Sequence, residues 1–130
     1  MNSRDELLAL YEQWRLLSLR EGQSIDAENW VEVQYCQDAK FALQQKILLI
    51  TQRVEAELAS DEATKSEFEA HLKRVIGYLI TLEHENSDKL SRKRALAEIK
   101  QSRFNQAARK LKQIRTLVSS GDNDLWSSYS

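Results

Sequence analysis

The longest uninterrupted stretch of this chain runs from residue 64 to residue 118, 55 residues with no proline and a single glycine, Gly77. Since proline and glycine are the residues that disfavour helix interiors most, the stretch predicts one helix of about 80 Å. Apolar residues recur in it every three or four positions, which keeps one side of the helix apolar. They are Phe68, Leu72, Val75, Leu79 and Leu82 in the first half, and Phe104, Ala108, Leu111, Ile114 and Val118 in the second.

A break in this helix would fall in the polar span between the two halves. Residues 86–88 (Asn-Ser-Asp) compete for backbone hydrogen bonds and make good caps. The apolar stripe also changes phase there, because Leu82, Asn86 and Leu90 are spaced four and four, which resembles a coiled-coil stutter. Stutters occur within continuous helices, so we favour a continuous third helix, with a fourth helix only if the chain breaks at 86–88.

The whole chain has no proline and only three glycines, whereas all-β and α/β domains need turn residues at short intervals. We therefore predict an all-α fold, an antiparallel and coiled-coil-like bundle or hairpin of three long helices at about 4–21, 27–59 and 62–118. Residues 1–118 are predicted to form a single helical domain and residues 119–130 a flexible tail. The tail contains a candidate docking motif, Leu125, Trp126 and Tyr129.

Local signals give the expected helix ends. A capping box at residues 3–6 (Ser-Arg-Asp-Glu) predicts that Ser3 caps the first helix, and Gly22 is expected to end it in the left-handed conformation. Asp26 is expected to cap the second helix. Two signals for the start of the third helix, residues 60–62 and a second capping box at 64–67, differ by about three residues.

Seam positions of the first two helices carry aromatic and polar residues as well as aliphatic ones. Trp14 and Trp30 are expected to join the core where these helices meet at their turn. Lys40 interrupts the seam of the second helix, and its stem is expected to cover apolar surface with the ammonium group in water. Cys36 lies in the same apolar seam and is expected to be a buried, structural thiol.

The net charge of −1 conceals an asymmetry along the chain. Residues 1–85 hold 9 Lys+Arg against 16 Asp+Glu, a net charge of −7, whereas residues 86–118 hold 10 against 2, a net charge of +8. The two halves either attract each other in a bundle or face water, or the basic half meets an acidic partner or nucleic acid. The candidate basic contact surface comprises Lys89, Arg92, Lys93, Arg103, Arg109, Lys110 and Lys112.

No motif in the sequence indicates a particular reaction or ligand. There is no Gly-rich phosphate loop and no nucleophile motif. His71 and His84 are 13 residues apart, about 20 Å along a helix, and cannot share a metal ion. We predict no enzyme activity, no catalytic residue, no metal and no cofactor. With no signal-peptide pattern and no apolar run near the ~20 residues of a membrane span, we expect a cytoplasmic protein without membrane insertion.

A family resemblance rests on three segments: residues 7–11 (LLALY) continued by Trp30, Glu32 and Tyr35; residues 80–86 (ITLEHEN) with Leu90; and residues 104–115. The first is similar to a short acidic pattern in which a bulky residue opens the second helix. The second is similar to a Leu-x-x-Glu-x-x-Asn-like segment, and the third resembles a C-terminal helical segment that is rich in basic residues. Together they resemble flagellar type III export chaperones, the group that escorts hook-associated and filament-cap proteins, over most of the chain.

The resemblance implies that the protein binds an amphipathic helix of a secretion substrate, keeps it unassembled, and contacts the export apparatus through its basic helix. The expected partner-binding residues are apolar ones left over after one bundle seam is filled: Phe41, Leu48, Leu49, Phe104, Leu111 and Val118. Two alternatives stay open. One is a self-associating coiled-coil scaffold or adaptor, in which the basic half pairs with a second copy as a homodimer. The other is nucleic-acid binding, which the spread of basic residues around the helix and the lack of interleaved aromatic residues disfavour.

Overall fold

The computed structural model of the protein describes residues 2–118, and for Val118 the backbone alone. Three α-helices account for almost all of this range: α1 (Ser3–Asp26), α2 (Trp30–Leu58) and α3 (Glu62–Val118). The all-α prediction is confirmed, and α3 passes through residues 86–88 without a break. No helix within residues 2–118 has both the length and the apolar character needed to cross a membrane. The predicted tail, with Leu125, Trp126 and Tyr129, lies outside the described residues.

The chain divides into two units, with the boundary between Leu90 and Ser91. The first unit contains α1, α2 and residues 62–90 of α3, and the described part of the second is the helical residues 91–118. In the first unit α1 and α2 are antiparallel, since Ser3 Oγ donates to Glu57 Oε1 at 2.7 Å while Glu21 pairs with Lys40.

The core of the first unit is built from the predicted apolar stripes. Leu7 of α1 packs with Val54 and Leu58 of α2, and half-buried residues of all three helices surround them: Tyr11, Ile47, Ile50, Phe68 and Leu72. Further along α3, Leu79 and Leu82 are buried. The first half of the α3 stripe therefore faces the other two helices, as its spacing predicts.

The start of α1 differs from the prediction by one residue. Asn2, not Ser3, is the N-cap, and its side-chain oxygen accepts from the amide of Asp5 at 2.9 Å. The hydroxyl of Ser3 is used instead for the tertiary hydrogen bond to Glu57. The start of α3 follows the earlier of its two signals: Asp61 accepts from both the amide and the hydroxyl of Thr64, at 3.2 and 2.7 Å.

The predicted end of α1 at Gly22 is wrong, because the helix continues to Asp26. Gly22 is buried, and a Cβ built on it would lie 2.6 Å from Oδ1 of Asn86. The glycine is therefore needed for a close approach to α3 and not for a turn. The left-handed residue of the connection is Glu28, with φ of 57°.

Asn29 caps α2, its side chain accepting from the amide of Glu32 at 3.2 Å, so the predicted cap at Asp26 is also wrong. Asp26 belongs to the last turn of α1, where its carboxylate pairs with Lys89 at 2.9 Å. The longer α1 places Trp30 at the first position of α2, where the residue is 46% exposed. The expectation that Trp30 joins the core is wrong, whereas Trp14 is half-buried.

Candidate functional site

A buried polar cluster links the three helices of the first unit. Its cation is Lys40 of α2, which is only 5% exposed. The Lys40 ammonium donates to Oε1 of Glu21 on α1 at 2.9 Å and to Oε1 of Glu83 on α3 at 2.7 Å. The expectation of a solvated ammonium group is therefore wrong: the stem and the head are both buried, and two carboxylates compensate the charge.

Glu83 is the residue at which this cluster reaches the protein surface. Its Oε1 accepts from Nε1 of Trp14 at 3.1 Å and from the hydroxyl of Ser18 at 2.7 Å, besides Lys40. Burial raises the pKa of Glu83, but the hydrogen bonds from Lys40 and Ser18 outweigh it and hold the pKa below its ordinary value of 4.5. The carboxylate is thus stabilised in its charged form while its side chain stays 37% exposed.

Asn86, one turn further along α3, completes the cluster. Its amide nitrogen donates to the backbone oxygen of Ser18 at 2.8 Å and to Oε1 of Glu21 at 3.0 Å. The Ser18 carbonyl belongs to the interior of α1. The hydrogen bond from Asn86 to it therefore fixes the position of α3 along the axis of α1. Because Gly22 has no Cβ, the side-chain amide of Asn86 fits against it. The glycine and the asparagine therefore depend on each other for packing.

The cluster forms the floor of an open groove between α2 and α3. A cleft of about 320 Å³ at the cluster and an apolar cleft of about 370 Å³ beside it share Trp14, Gln44 and Glu83. We call the two together the α2–α3 groove. Its lining residues are Tyr11, Trp14, Glu21, Ile25, Gln37, Lys40, Phe41, Gln44, Ile47, Leu48, Ile76, Leu79, Ile80, Glu83, Asn86, Ser87 and Leu90.

The groove has an apolar part and a charged part. On α3 it extends from Ile76 to Leu90, which is about 20 Å of helix. Leu48 of α2 and Ile80 of α3 both line the apolar part and are at least half exposed. The charged part holds two carboxylates, Glu21 and Glu83, against the one ammonium of Lys40.

The structure distributes the predicted partner-binding residues over several surfaces. Phe41, Leu48 and Leu49 are 65%, 61% and 59% exposed. Phe41 and Leu48 line the α2–α3 groove, but Leu49, although next to Leu48, lines a different cleft between α1 and α2. Phe104 and Leu111 are exposed residues of the second unit, and the side chain of Val118 lies outside the described part.

The predicted basic surface is also divided. Lys89 belongs to the first unit and pairs with Asp26. The remaining members lie on the helix of the second unit, where Lys93 is half-buried and the others are exposed: Arg92, Lys93, Arg103, Arg109, Lys110 and Lys112. The exposed members therefore lie on a helix that also exposes Phe104 and Leu111.

Sequence reasoning missed Glu21, Glu83 and Asn86 as parts of the site. One signal was present in α2 and in α3, namely a polar residue at a position that the apolar periodicity assigns to the core. Lys40 in the α2 seam and Asn86 in the α3 stripe both meet this description. What periodicity does not supply is which of these polar residues meet one another in space.

Cys36 is a free cysteine and is fully buried, so the prediction that it is buried is confirmed. Burial raises its pKa, which opposes formation of the reactive thiolate. Within residues 2–118 no group of three His, Cys, Asp or Glu side chains is arranged to hold a metal ion. Comparison with protein-family models, with curated proteins and with solved structures gives no match to this chain.

Proposed function

We propose that this protein binds an amphipathic helix of a partner protein in the α2–α3 groove. The observation that carries the proposal is the groove itself, an open trough about four helical turns long with apolar walls and a charged end. An amphipathic helix presents one apolar stripe flanked by polar residues, which is the shape and chemistry that such a trough accepts. Its binding would add a fourth helix to the three of the first unit.

The apolar walls supply the driving force for such binding. Leu48 and Ile80 leave 61% and 50% of their surface in water. Burying a whole leucine or isoleucine side chain contributes about 1.5–3 kcal/mol, so covering what remains exposed here contributes roughly 1–2 kcal/mol at each position. Trp14 and Phe41 add aromatic surface, the residue class that most often anchors protein interfaces.

The finer form of the proposal follows the family resemblance. In that form the partner is a flagellar hook-associated or filament-cap protein, the protein acts in the cytoplasm as its export chaperone, and the groove keeps the assembly helix of the substrate covered. Support comes from the resemblance of residues 7–35, 80–90 and 104–115 and from the open groove. The residues expected to contact the substrate in the groove are Phe41 and Leu48.

A binding experiment with a matched pair of variants tests the proposal. Leu48→Asp places a carboxylate in the apolar part of the groove, whereas Leu49→Asp makes the same change at an equally exposed neighbour that lines another cleft. The terminal helices of hook-associated and filament-cap proteins from the same cells are titrated into each variant by calorimetry. We expect Leu48→Asp to weaken binding at least about tenfold, since 1.4 kcal/mol corresponds to a factor of ten.

Leu49→Asp should bind within about twofold of the wild type, because a charge outside the interface changes little. Unchanged binding in both variants would show that the contact is elsewhere than the groove. If none of the flagellar export substrates binds at all, the chaperone form of the proposal is wrong. Light scattering on the mixture then adds the stoichiometry, which is expected to be one to one.

A further inference from the structure

The helix of the second unit exposes apolar side chains that a single helix cannot cover by itself. Phe104, Leu111 and Ile114 are 70%, 67% and 56% exposed. Their spacings of seven and three place them on one side of the helix, which is the pattern of a helix that packs against a partner. Helices gain most of their stability from such packing, so we expect another helix or protein surface to cover these side chains.

The charge of this helix restricts what the occupant can be. Residues 91–118, which we call the basic segment, hold 9 Lys+Arg and one acidic residue, Glu98, a net charge of +8. Two basic segments side by side would bring like charges together along their whole length, which opposes pairing of the segment with itself. The occupant must therefore combine apolar surface with excess negative charge.

The first unit of this same chain has both properties. Residues 1–90 hold 10 Lys+Arg against 17 Asp+Glu, a net charge of −7. The α2–α3 groove adds the local features, with Leu48 and Ile80 on its apolar walls and the partly exposed carboxylate of Glu83 where its two parts meet. Groove and segment are complementary in charge as well as in apolar character.

We propose that the α2–α3 groove of one copy binds the basic segment of a second copy. The proposal rests on the proposed function, because it uses the same groove. The segment is about 40 Å long at the helical rise and the groove about 20 Å, so part of the segment fills it. Phe104 and Leu111 would face Leu48 and Ile80, while Arg103 and Lys110, which flank the apolar stripe, would lie toward the acidic surface.

Two consequences follow for the protein in solution. Each copy carries one groove and one segment, so two copies can bind each other reciprocally as a dimer. A partner helix and the second copy also compete for one groove. The self-associated form is therefore expected to bind the partner more weakly than a variant that cannot self-associate.

The test measures the mass of the full chain by light scattering and sedimentation over a range of concentrations and salt. The wild type should exceed the monomer mass and dissociate on dilution and at raised salt, because the attraction is partly electrostatic. Arg103→Glu with Lys110→Glu should weaken self-association at least about tenfold. Arg109→Glu with Lys112→Glu makes the same charge change on the side of the segment away from Arg103 and Lys110 and should have a much smaller effect.

Mixing two defective variants supplies the decisive control. Leu48→Asp spoils the groove and keeps the segment, whereas the Arg103→Glu, Lys110→Glu variant spoils the segment and keeps the groove. Each alone should self-associate at least about tenfold more weakly than the wild type, and the mixture should form a heterodimer through the one intact contact. A wild type that is monomeric throughout, a mixture that stays monomeric, or a mass increase that disappears on nuclease treatment would each overturn the inference, the last in favour of nucleic acid.

Failure of this inference is distinguishable from failure of the proposed function. The segment variant retains an unaltered groove, so its affinity for a partner helix reports on the groove alone. A segment variant that binds the partner while self-association proves absent in the wild type refutes the inference and leaves the function standing. Self-association that depends on Leu48, with no partner helix bound by any variant, supports the inference and refutes the function.

Discussion

Lys40→Met removes the ammonium group that pairs with Glu21 and Glu83, and it keeps a flexible apolar side chain in the same space. The side chains of Lys40 and Glu21 are 7% and 4% exposed, so the substitution leaves a carboxylate buried without its cation. Removing one partner of a buried pair typically costs about 3–5 kcal/mol. The contact with Glu83 contributes less, about 0.5–1 kcal/mol, because that carboxylate is partly solvated.

We therefore expect Lys40→Met to lower the free energy of unfolding by about 3–5 kcal/mol, most of it through Glu21. Urea unfolding at pH 7 followed by far-ultraviolet circular dichroism measures this. Adding Glu21→Gln removes the unpaired charge and keeps an oxygen that accepts from Asn86, so the double variant should recover roughly 2–3 kcal/mol of the loss. Lys46→Met, at an exposed position of the same helix, should stay within about 0.5 kcal/mol of the wild type.

Two results would refute this reasoning. A cost below about 1 kcal/mol for Lys40→Met would mean that water or another side chain takes over the compensation of Glu21. Strict additivity of Lys40→Met and Glu21→Gln would mean that the two groups do not interact in the folded protein, whatever their distance.

Four further predictions concern single residues of the first unit. Gly22→Ala should destabilise by about 1–3 kcal/mol in thermal or urea unfolding, because its Cβ meets Asn86 Oδ1 at 2.6 Å. Gly77→Ala, where a Cβ meets nothing within 4 Å, should stabilise by about 0.5–1 kcal/mol, and the opposite order would contradict the packing described. The lowered pKa of Glu83 means that its stabilisation is present above its ordinary value of 4.5 and is lost as the pH falls through the lower folded value. Glu83→Gln should therefore flatten the acid limb of stability against pH, and an unchanged limb would rule out this source. Cys36 should react with a thiol reagent at least about 100-fold more slowly in the native protein than in urea, and equal rates would show that it is not protected.

Periodicity and composition were sufficient for the elements of this fold. The stripe from Phe68 to Leu82 predicts which side of α3 faces the other helices, because only burial of that side compensates the ordering of so long a helix. The absence of proline and the stutter at Asn86 likewise predict a helix that continues. These signals depend only on residues close together in the sequence, so the helices that they predict can be inferred from the sequence alone.

The end of α1 and the role of Lys40 depend on contacts between residues far apart in the sequence. Gly22 has the local signature of a helix end, but packing against Asn86, 64 residues later, continues the helix through it. Lys40 meets Glu21 and Glu83 at sequence separations of 19 and 43. A seam lysine therefore has the same local pattern whether its ammonium group is solvated or buried in an ion pair.

The sequence identifies two of the exposed apolar residues that line the groove. Phe41 and Leu48 were expected to be left over from the seam, and both line it. Leu49 was expected to share their surface but lines the cleft between α1 and α2 instead. Adjacent residues on a helix are about 100° apart, so which neighbour each one meets depends on the spacing of helices that no single stripe encodes.

Trp14 gives this site an optical reporter. Its indole borders both parts of the α2–α3 groove, and its N–H is already hydrogen-bonded to Glu83. A helix laid in the groove would exclude solvent from that ring, so the emission of Trp14 should shift to shorter wavelength on occupation. With Trp30 and Trp126 replaced by phenylalanine, the remaining fluorescence would follow the filling of the groove without any added label.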